Sequence, residues 1–199
     1  MHNDKAELRT RLLTARRAAS PQWRETAARA LAGHAAELAG PGQTVAAYVS
    51  VGAEPGTRPL LDALTARDVR VLLPVLLPDN DLDWARYEGA GQLAPAGRGL
   101  LEPTGPRLGP DAVTGAAVVL LPGLAVDRRG LRLGRGGGSY DRVLARLAGA
   151  GAHPLLATLL YEDELLEWVP AEPHDLPVDA AVTPAGVHRL GPGPEGVTA

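Results

Sequence analysis

GLRLGRGGGSYDRVLARL, residues 130–147, is the stretch on which the reading of this chain turns. Its first half is nearly bare backbone, with Gly134, Gly136, Gly137 and Gly138 set around Arg135 and with Arg132 just upstream. Its second half places Tyr140, Val143, Leu144 and Leu147 at helical spacing and closes with Gly149. That spacing predicts a helix starting near Ser139. Glycine allows positive φ and close approach to a ligand. Successive N–H groups can then line a nest for anionic oxygens, and a helix start adds unpaired N–H groups and a positive dipole end. Arg132 and Arg135 offer charge and forked donors for phosphate. Together these features fit a polyphosphate; the plainer alternative is a solvated glycine-rich turn. The loop has neither GK[ST] at P-loop spacing nor a GxGxxG pattern, because position 139 is Ser. Asp141 falls in the first turn of the predicted helix, where a carboxylate is favourable in any protein. It is equally well placed to hold Mg²⁺ beside phosphates.

Upstream of this stretch, residues 4–18 read as a helix with Leu8, Leu12 and Ala15 inward and Lys5, Arg9 and Arg16 on its surface. Ser20-Pro21 starts a second helix with a cap and a proline at N1. Runs 44–50, 69–74, 115–122, 154–161 and 178–184 read as strands, and LDWARY (82–87) as a less buried one. Thr57 is placed to cap a short helix, and EDELLEW reads as another. Residues 88–110 are rich in Gly and Pro and suggest a long surface excursion, while Asp127–Gly130 reads as a tight turn. Strands that are continuous apolar runs, alternating with helices, imply an α/β fold: a mainly parallel sheet flanked by helices on both faces, in a single domain over 1–190 with a disordered tail over 191–199. Ligands of such sheets gather at the carboxyl ends of strands, which here are the loops after 44–50 and 115–122.

Composition narrows the function. The chain has 199 residues, 45% of them apolar, with no Phe and a formal net charge of −3. A mildly acidic chain argues against nucleic-acid binding, so its arginines suit a small anion. No cysteine means no disulfide, thiolate metal site or Cys nucleophile. The five histidines are scattered, without zinc-site spacing. No apolar stretch of signal-peptide or membrane-spanning length is evident, so a cytoplasmic protein without membrane contact is expected. A monomer is the expected oligomeric state.

PGLAVDRRGLRLGRGGGSYDR resembles the signature of 5-formyltetrahydrofolate cyclo-ligases, roughly PG-x-AFD-x-x-G-x-RLG-x-G-x-GYYDR. Further elements follow in order over about residues 5–184: KAELR (5–9), YVSVGAEPGT with Glu54 and Thr57, VLLP (71–74), GLLEP (99–103) and HDLPVDAAVT with Asp175 and Asp179. The resemblance implies an α/β enzyme that uses ATP and Mg²⁺ to convert 5-formyltetrahydrofolate, a small-molecule reduced folate, to 5,10-methenyltetrahydrofolate. Matched position by position, it implies that Lys5, Arg9 and the stretch Arg132, Leu133, Gly134, Arg135, Gly136, Gly137, Gly138, Ser139 and Tyr140 bind ATP. It further implies Arg135 near the transferred phosphoryl group and Asp141 and Asp175 on the metal. Val49 would form an apolar wall for the folate, and Glu54 would accept N–H bonds from the pterin. Three positions depart from the family pattern. Ser139 replaces a Tyr and is expected to cap the helix better, Val126 replaces a Phe, and the Met usual before the pterin-site aromatic is replaced within LDWARY, where Trp84 would take the stacking role. Two other readings stand beside this one: an ATP-independent phosphosugar isomerase or CoA-transferase-like enzyme, and a non-catalytic nucleotide or folate binder.

Overall fold

A computed structural model of the protein describes residues 2–172 and 175–191. The expected tail thus lies, from residue 192 on, outside the described residues. The chain runs α1 (His2–Ala18), α2 (Pro21–Ala36), β1 (Thr44–Ala46), α3 (Arg58–Ala66), β2 (Arg70–Leu76), β3 (Leu82–Arg86), β4 (Leu93–Pro95), β5 (Leu101–Pro103), β6 (Val118–Pro122), β7 (Ala125–Asp127), β8 (Arg132–Leu133), α4 (Ser139–Gly149), β9 (Leu155–Leu159), β10 (Leu165–Leu166), β11 (Ala180–Thr183) and β12 (Gly186–Arg189).

A seven-stranded sheet in the order β12-β11-β9-β6-β1-β2-β3 carries the fold. Its five inner strands are parallel, and the two edge strands, β3 and β12, are antiparallel to their neighbours. Alternation along β6 explains why helices cover both faces. Val118 and Leu120 join the core beneath α2 and α3, with Leu31, Leu60, Leu61 and Leu64. Val119 and Leu121 join the opposite core beneath α4, with Val143, Leu144 and Leu147. Every inner strand is therefore apolar on both sides, which is the condition for a parallel sheet.

Several local expectations are corrected. Trp84 is buried, so β3 is not a lightly buried strand. Residues 88–110 fold into the β4–β5 hairpin with short 3₁₀ turns around it. EDELLEW forms one 3₁₀ turn at Glu162–Glu164 followed by β10, not a helix. β12, which the sequence did not announce, returns antiparallel beside β11. Thr57 stands at the N-cap of α3, but its side chain makes no cap bond: its hydroxyl accepts from Ser50 N at 2.9 Å while Ser50 Oγ accepts from Thr57 N at 3.2 Å, closing the loop between them. Ser139 is the first helical residue of α4, and the cap is Gly138 in the left-handed region.

Arg16 is not on the surface. It is 3% exposed and lies in a buried network. Its Nε and Nη2 donate to Glu164 Oε1 and Oε2 at 2.6 and 2.8 Å, and Nη2 also donates to Gly123 O at 2.6 Å. Tyr161 N donates to Glu164 Oε2 at 2.9 Å. This network seats α1 against a second, three-stranded sheet, β10-β7-β8, where Leu12 packs on Leu124, Ala125, Leu133 and Val169. Removing one partner of such a pair strands the other charge. Glu164→Ala should therefore lower unfolding stability by about 3–5 kcal/mol, read as a reduced urea midpoint at unchanged m-value.

Candidate active site

The carboxyl ends of β1, β2 and β6 open on a cavity of about 470 Å³. One wall comes from the sheet ends and the hairpin: Val49, Pro74, Leu76, Leu82, Leu100 and Leu101 make it apolar, with Glu102 and Arg98 set into it. The facing wall is the glycine–arginine loop, Arg132 and Gly134–Asp141. The loop departs from ordinary backbone where glycine is needed, at φ +96° for Gly136 and +75° for Gly138. A Cβ on Gly137 would meet no neighbouring atom, so this backbone is open. A Cβ on Gly134 would come within 2.9 Å of the Arg132 guanidinium. The loop ends on the first turn of α4, where N–H groups have no intrahelical partner.

Arg132 anchors this wall from behind. Its Nη1 donates to Pro122 O at 2.9 Å and its Nη2 to Asp141 Oδ1 at 2.8 Å. The side chain is only 7% exposed, and its Nε makes no hydrogen bond among the described residues. Burial pulls this guanidinium below its usual range, against the opposing charge of Asp141. Arg132 is thus committed to holding β6 and α4 together, whereas Arg135 is half exposed and swings across the cavity to Glu54, Nη1 to Oε1 at 3.0 Å. Glu54 Oε2 also accepts from Val51 N at 2.8 Å, so both of its oxygens are occupied. Tyr48 and Tyr140 line the cavity as phenols held above their ordinary range, by burial first and then by the charge of Glu54.

The remaining candidates sit around this cavity. Arg9 donates from Nε to Gly134 O at 2.9 Å, its guanidinium beside Gly136. Lys5 Nζ pairs with Asp175 Oδ2 at 2.9 Å and Glu172 Oε2 at 3.3 Å. Lys5, Arg9 and Asp175 do not line this cavity; α1 brings Arg9 to the loop backbone and Lys5 to Asp175. Two further candidates do not line it either. Leu133 is buried in the α1 core. Trp84 is 1% exposed and packs with Leu82 and Val119 beneath α4, so its ring is not available for stacking. Sequence reasoning passed over Tyr48, Arg98, Leu100, Leu101 and Glu102. Tyr48 stood within YVSVGAEPGT and Leu100, Leu101 and Glu102 within GLLEP, but without a role; Arg98 carried no signal.

Among the described residues no group of three or more His, Asp or Glu side chains could hold a metal alone. Asp141 nonetheless fits Mg²⁺: it stands on the cavity wall, its side chain is 62% exposed, and only one of its oxygens is engaged by Arg132. A hard cation that takes one or two carboxylates and completes its shell with phosphate and water needs no more.

A sequence profile of the 5-formyltetrahydrofolate cyclo-ligase family matches residues 1–184. The chain belongs to that family. It is 45% identical over 185 residues to the 5-formyltetrahydrofolate cyclo-ligase of Mycolicibacterium smegmatis, covering 90% of this chain and 93% of that one. It is 33% identical over 146 residues to the Escherichia coli K12 cyclo-ligase, covering 72% and 79% of the two chains. The fold is similar to Aquifex aeolicus 5,10-methenyltetrahydrofolate synthetase, with a TM-score of 0.77 at 27% identity over 96% of this chain and 95% of that one. It is also similar to the Mycoplasma pneumoniae synthetase, with a TM-score of 0.70 over 91% and 99% of the chains; at 19% identity that likeness speaks for the fold alone.

The four tyrosines of this cyclo-ligase family member give a pH prediction. Tyr48, Tyr87, Tyr140 and Tyr161 are each raised, with burial as the first cause. A raised phenol favours the folded state fully below the unfolded value of about 10. That contribution is lost as pH rises through the folded values. Phenolate absorbance of the folded protein should therefore develop above the range seen in denaturant, with stability falling over the same alkaline window. Coincident titration curves would contradict the burial.

Proposed function

We propose that the protein converts 5-formyltetrahydrofolate to 5,10-methenyltetrahydrofolate with MgATP, releasing ADP and phosphate. The observation that carries this reading is a single cavity with an apolar wall on one side and a glycine–arginine anion cradle on the other. The two walls suit a flat, largely apolar ring system and a polyphosphate held face to face.

The chemistry asks for such a pairing. A formamide oxygen is a poor leaving group. Its attack on the γ-phosphorus of ATP, with departure of ADP, makes it a phosphate ester of an iminium. N10 of the folate then attacks the formyl carbon and gives its proton to solvent, phosphate leaves with the former formyl oxygen, and the ring closes. The first step is chiefly a matter of positioning and charge neutralisation. Backbone N–H groups of Gly136–Ser139 would bind phosphate oxygens, and Lys5 and Arg9 would add charge from the α1 side. Arg135, half exposed and paired with Glu54, would meet the transferred phosphoryl group. Asp141, together with Asp175, which pairs with Lys5, would hold Mg²⁺, which supplies neutralisation of the phosphate charge. Val49 and the hairpin leucines would face the folate. Tyr48 and Tyr140, kept protonated, remain neutral donors at the cavity wall.

No helix among the described residues is long and apolar enough to cross a membrane. A cytoplasmic enzyme, acting as a monomer on a small folate, is the setting we propose.

Incubation with 5-formyltetrahydrofolate and MgATP should generate the methenyl chromophore with one ADP per turnover. ADP without chromophore, or folate binding without turnover, would refute the reading. Arg135→Ala should lower kcat by about 10²–10³-fold while leaving the melting temperature within a degree or two, since the side chain is half exposed and its one ion pair is worth little to stability.

A further inference from the structure

Three arginines line the cavity, and they are not equivalent. Arg132 is paired with Asp141 and Arg135 with Glu54. Arg98 is in no ion pair among the described residues. Its guanidinium is steadied by one bond, from Nη1 to Asn80 Oδ1 at 3.0 Å. The backbone there does not favour a side chain. Arg98 lies in the turn Gly97–Gly99 with φ +60°, in the left-handed region that arginine seldom adopts. Glycine takes such angles freely, and a glycine stands on either side. A cation is thus kept, against local preference, at the exposed rim of a wall made of Leu76, Leu82, Leu100 and Leu101. Backbone strain held in this way points to a function for the side chain.

5-Formyltetrahydrofolate ends in a glutamyl group with two carboxylates. Its formyl group is on the ring, so the ring must face the glycine–arginine cradle and the glutamyl end must lie away from it. Leucines offer that charge nothing. Given the folate reading proposed above, on which this step rests, we infer that Arg98 receives a carboxylate of the glutamyl end and is a specificity-determining residue. Its guanidinium supplies charge and forked donors, the chemistry that suits a carboxylate. The hairpin thereby selects for the charged tail while the loop opposite serves the phosphates. A second cavity also holds arginines, Arg17 and Arg24, but it shares Glu54 and Arg135 with the first. A tail leaving the leucine wall would have to pass that ion pair to reach it, whereas Arg98 is on the wall itself.

The experiment compares wild type, Arg98→Gln, Arg98→Gly and the double variant Arg17→Gln/Arg24→Gln on 5-formyltetrahydrofolate and on its diamide, in which both glutamyl carboxylates are carboxamides. Glycine at 98 suits the backbone angle, so that variant keeps the turn. Wild type should favour the natural substrate by about three- to tenfold in kcat/KM, through KM, the worth of an exposed but forked charge contact. That preference should shrink as salt rises. Both Arg98 variants should use the two compounds alike, with KM for ATP within about twofold of wild type. The double variant should keep the preference. Equal use of both compounds by wild type overturns the inference whatever the folding of the variants. So does a preference retained in Arg98→Gln and Arg98→Gly, or one lost only in the double variant, which would send the tail to the second cavity. Wild type that forms no methenyl product from the natural substrate defeats the folate reading itself, and the assignment of Arg98 with it.

Discussion

The site depends on how α1 is held. Arg16 and Glu164 form a two-pronged ion pair out of water, and the same guanidinium takes the carbonyl of Gly123 just beyond β6. Burying two charges is costly, and their attraction offsets that cost only when the remaining donors and acceptors are satisfied. Here the Gly123 carbonyl and the Tyr161 amide do so, and the Arg16 guanidinium also lies 5.7 Å from the centre of the Tyr161 ring. The pair joins the C-terminal part of α1 to the segments that follow β6 and β9. Once that end is fixed, the helix axis carries Arg9 to the glycine loop and Lys5 to Asp175 without further instruction.

A second constraint acts from inside. Arg132 is nearly enclosed and joins the end of β6 to the first turn of α4. Between these two fixed points the chain must cross from Leu133 to Ser139 with little room. Gly134 lies against the guanidinium, and Gly136 and Gly138 take backbone angles that side chains disfavour. The loop is thereby held as a cradle between a strand end and a helix start. On the reading proposed above, Arg135 meets the ligand from the cavity and Lys5 and Arg9 from the α1 side, while Arg132 is tied to Pro122 and Asp141.

The layout of sheet and helices was legible because its signals are local and repeated. Val118–Leu121 is apolar at every position, and Val143, Leu144 and Leu147 keep one face of α4. The loop was legible because its glycines cluster. What could not be read were features decided by distant partners. Arg16 looks like any surface arginine at helical spacing until Glu164, 148 residues away, is brought against it. That same need turns EDELLEW from a helix into a single turn, because Glu164 must point inward. Trp84 reads as a ligand contact from its family position, but it shares a face of β3 with Leu82 and is buried with it beneath α4, and only Leu82, at the start of the strand, also reaches the cavity. Residues 88–110 carry too little apolar pattern to announce a hairpin, and although GLLEP singled out Glu102 with its neighbours, its bond to Leu76 belongs to the fold.

The bridge from Glu54 to Arg135 has a further consequence for what the resting protein shows to its surroundings. A bare arginine above an anion nest would attract every phosphate in solution. Here a carboxylate already neutralises it, at 3.0 Å, so the long-range pull on stray anions is blunted. Inorganic phosphate, like any other anion, would have to displace a tethered competitor whose effective concentration is set by the chain itself. The charge of this wall is thus balanced internally before any partner arrives.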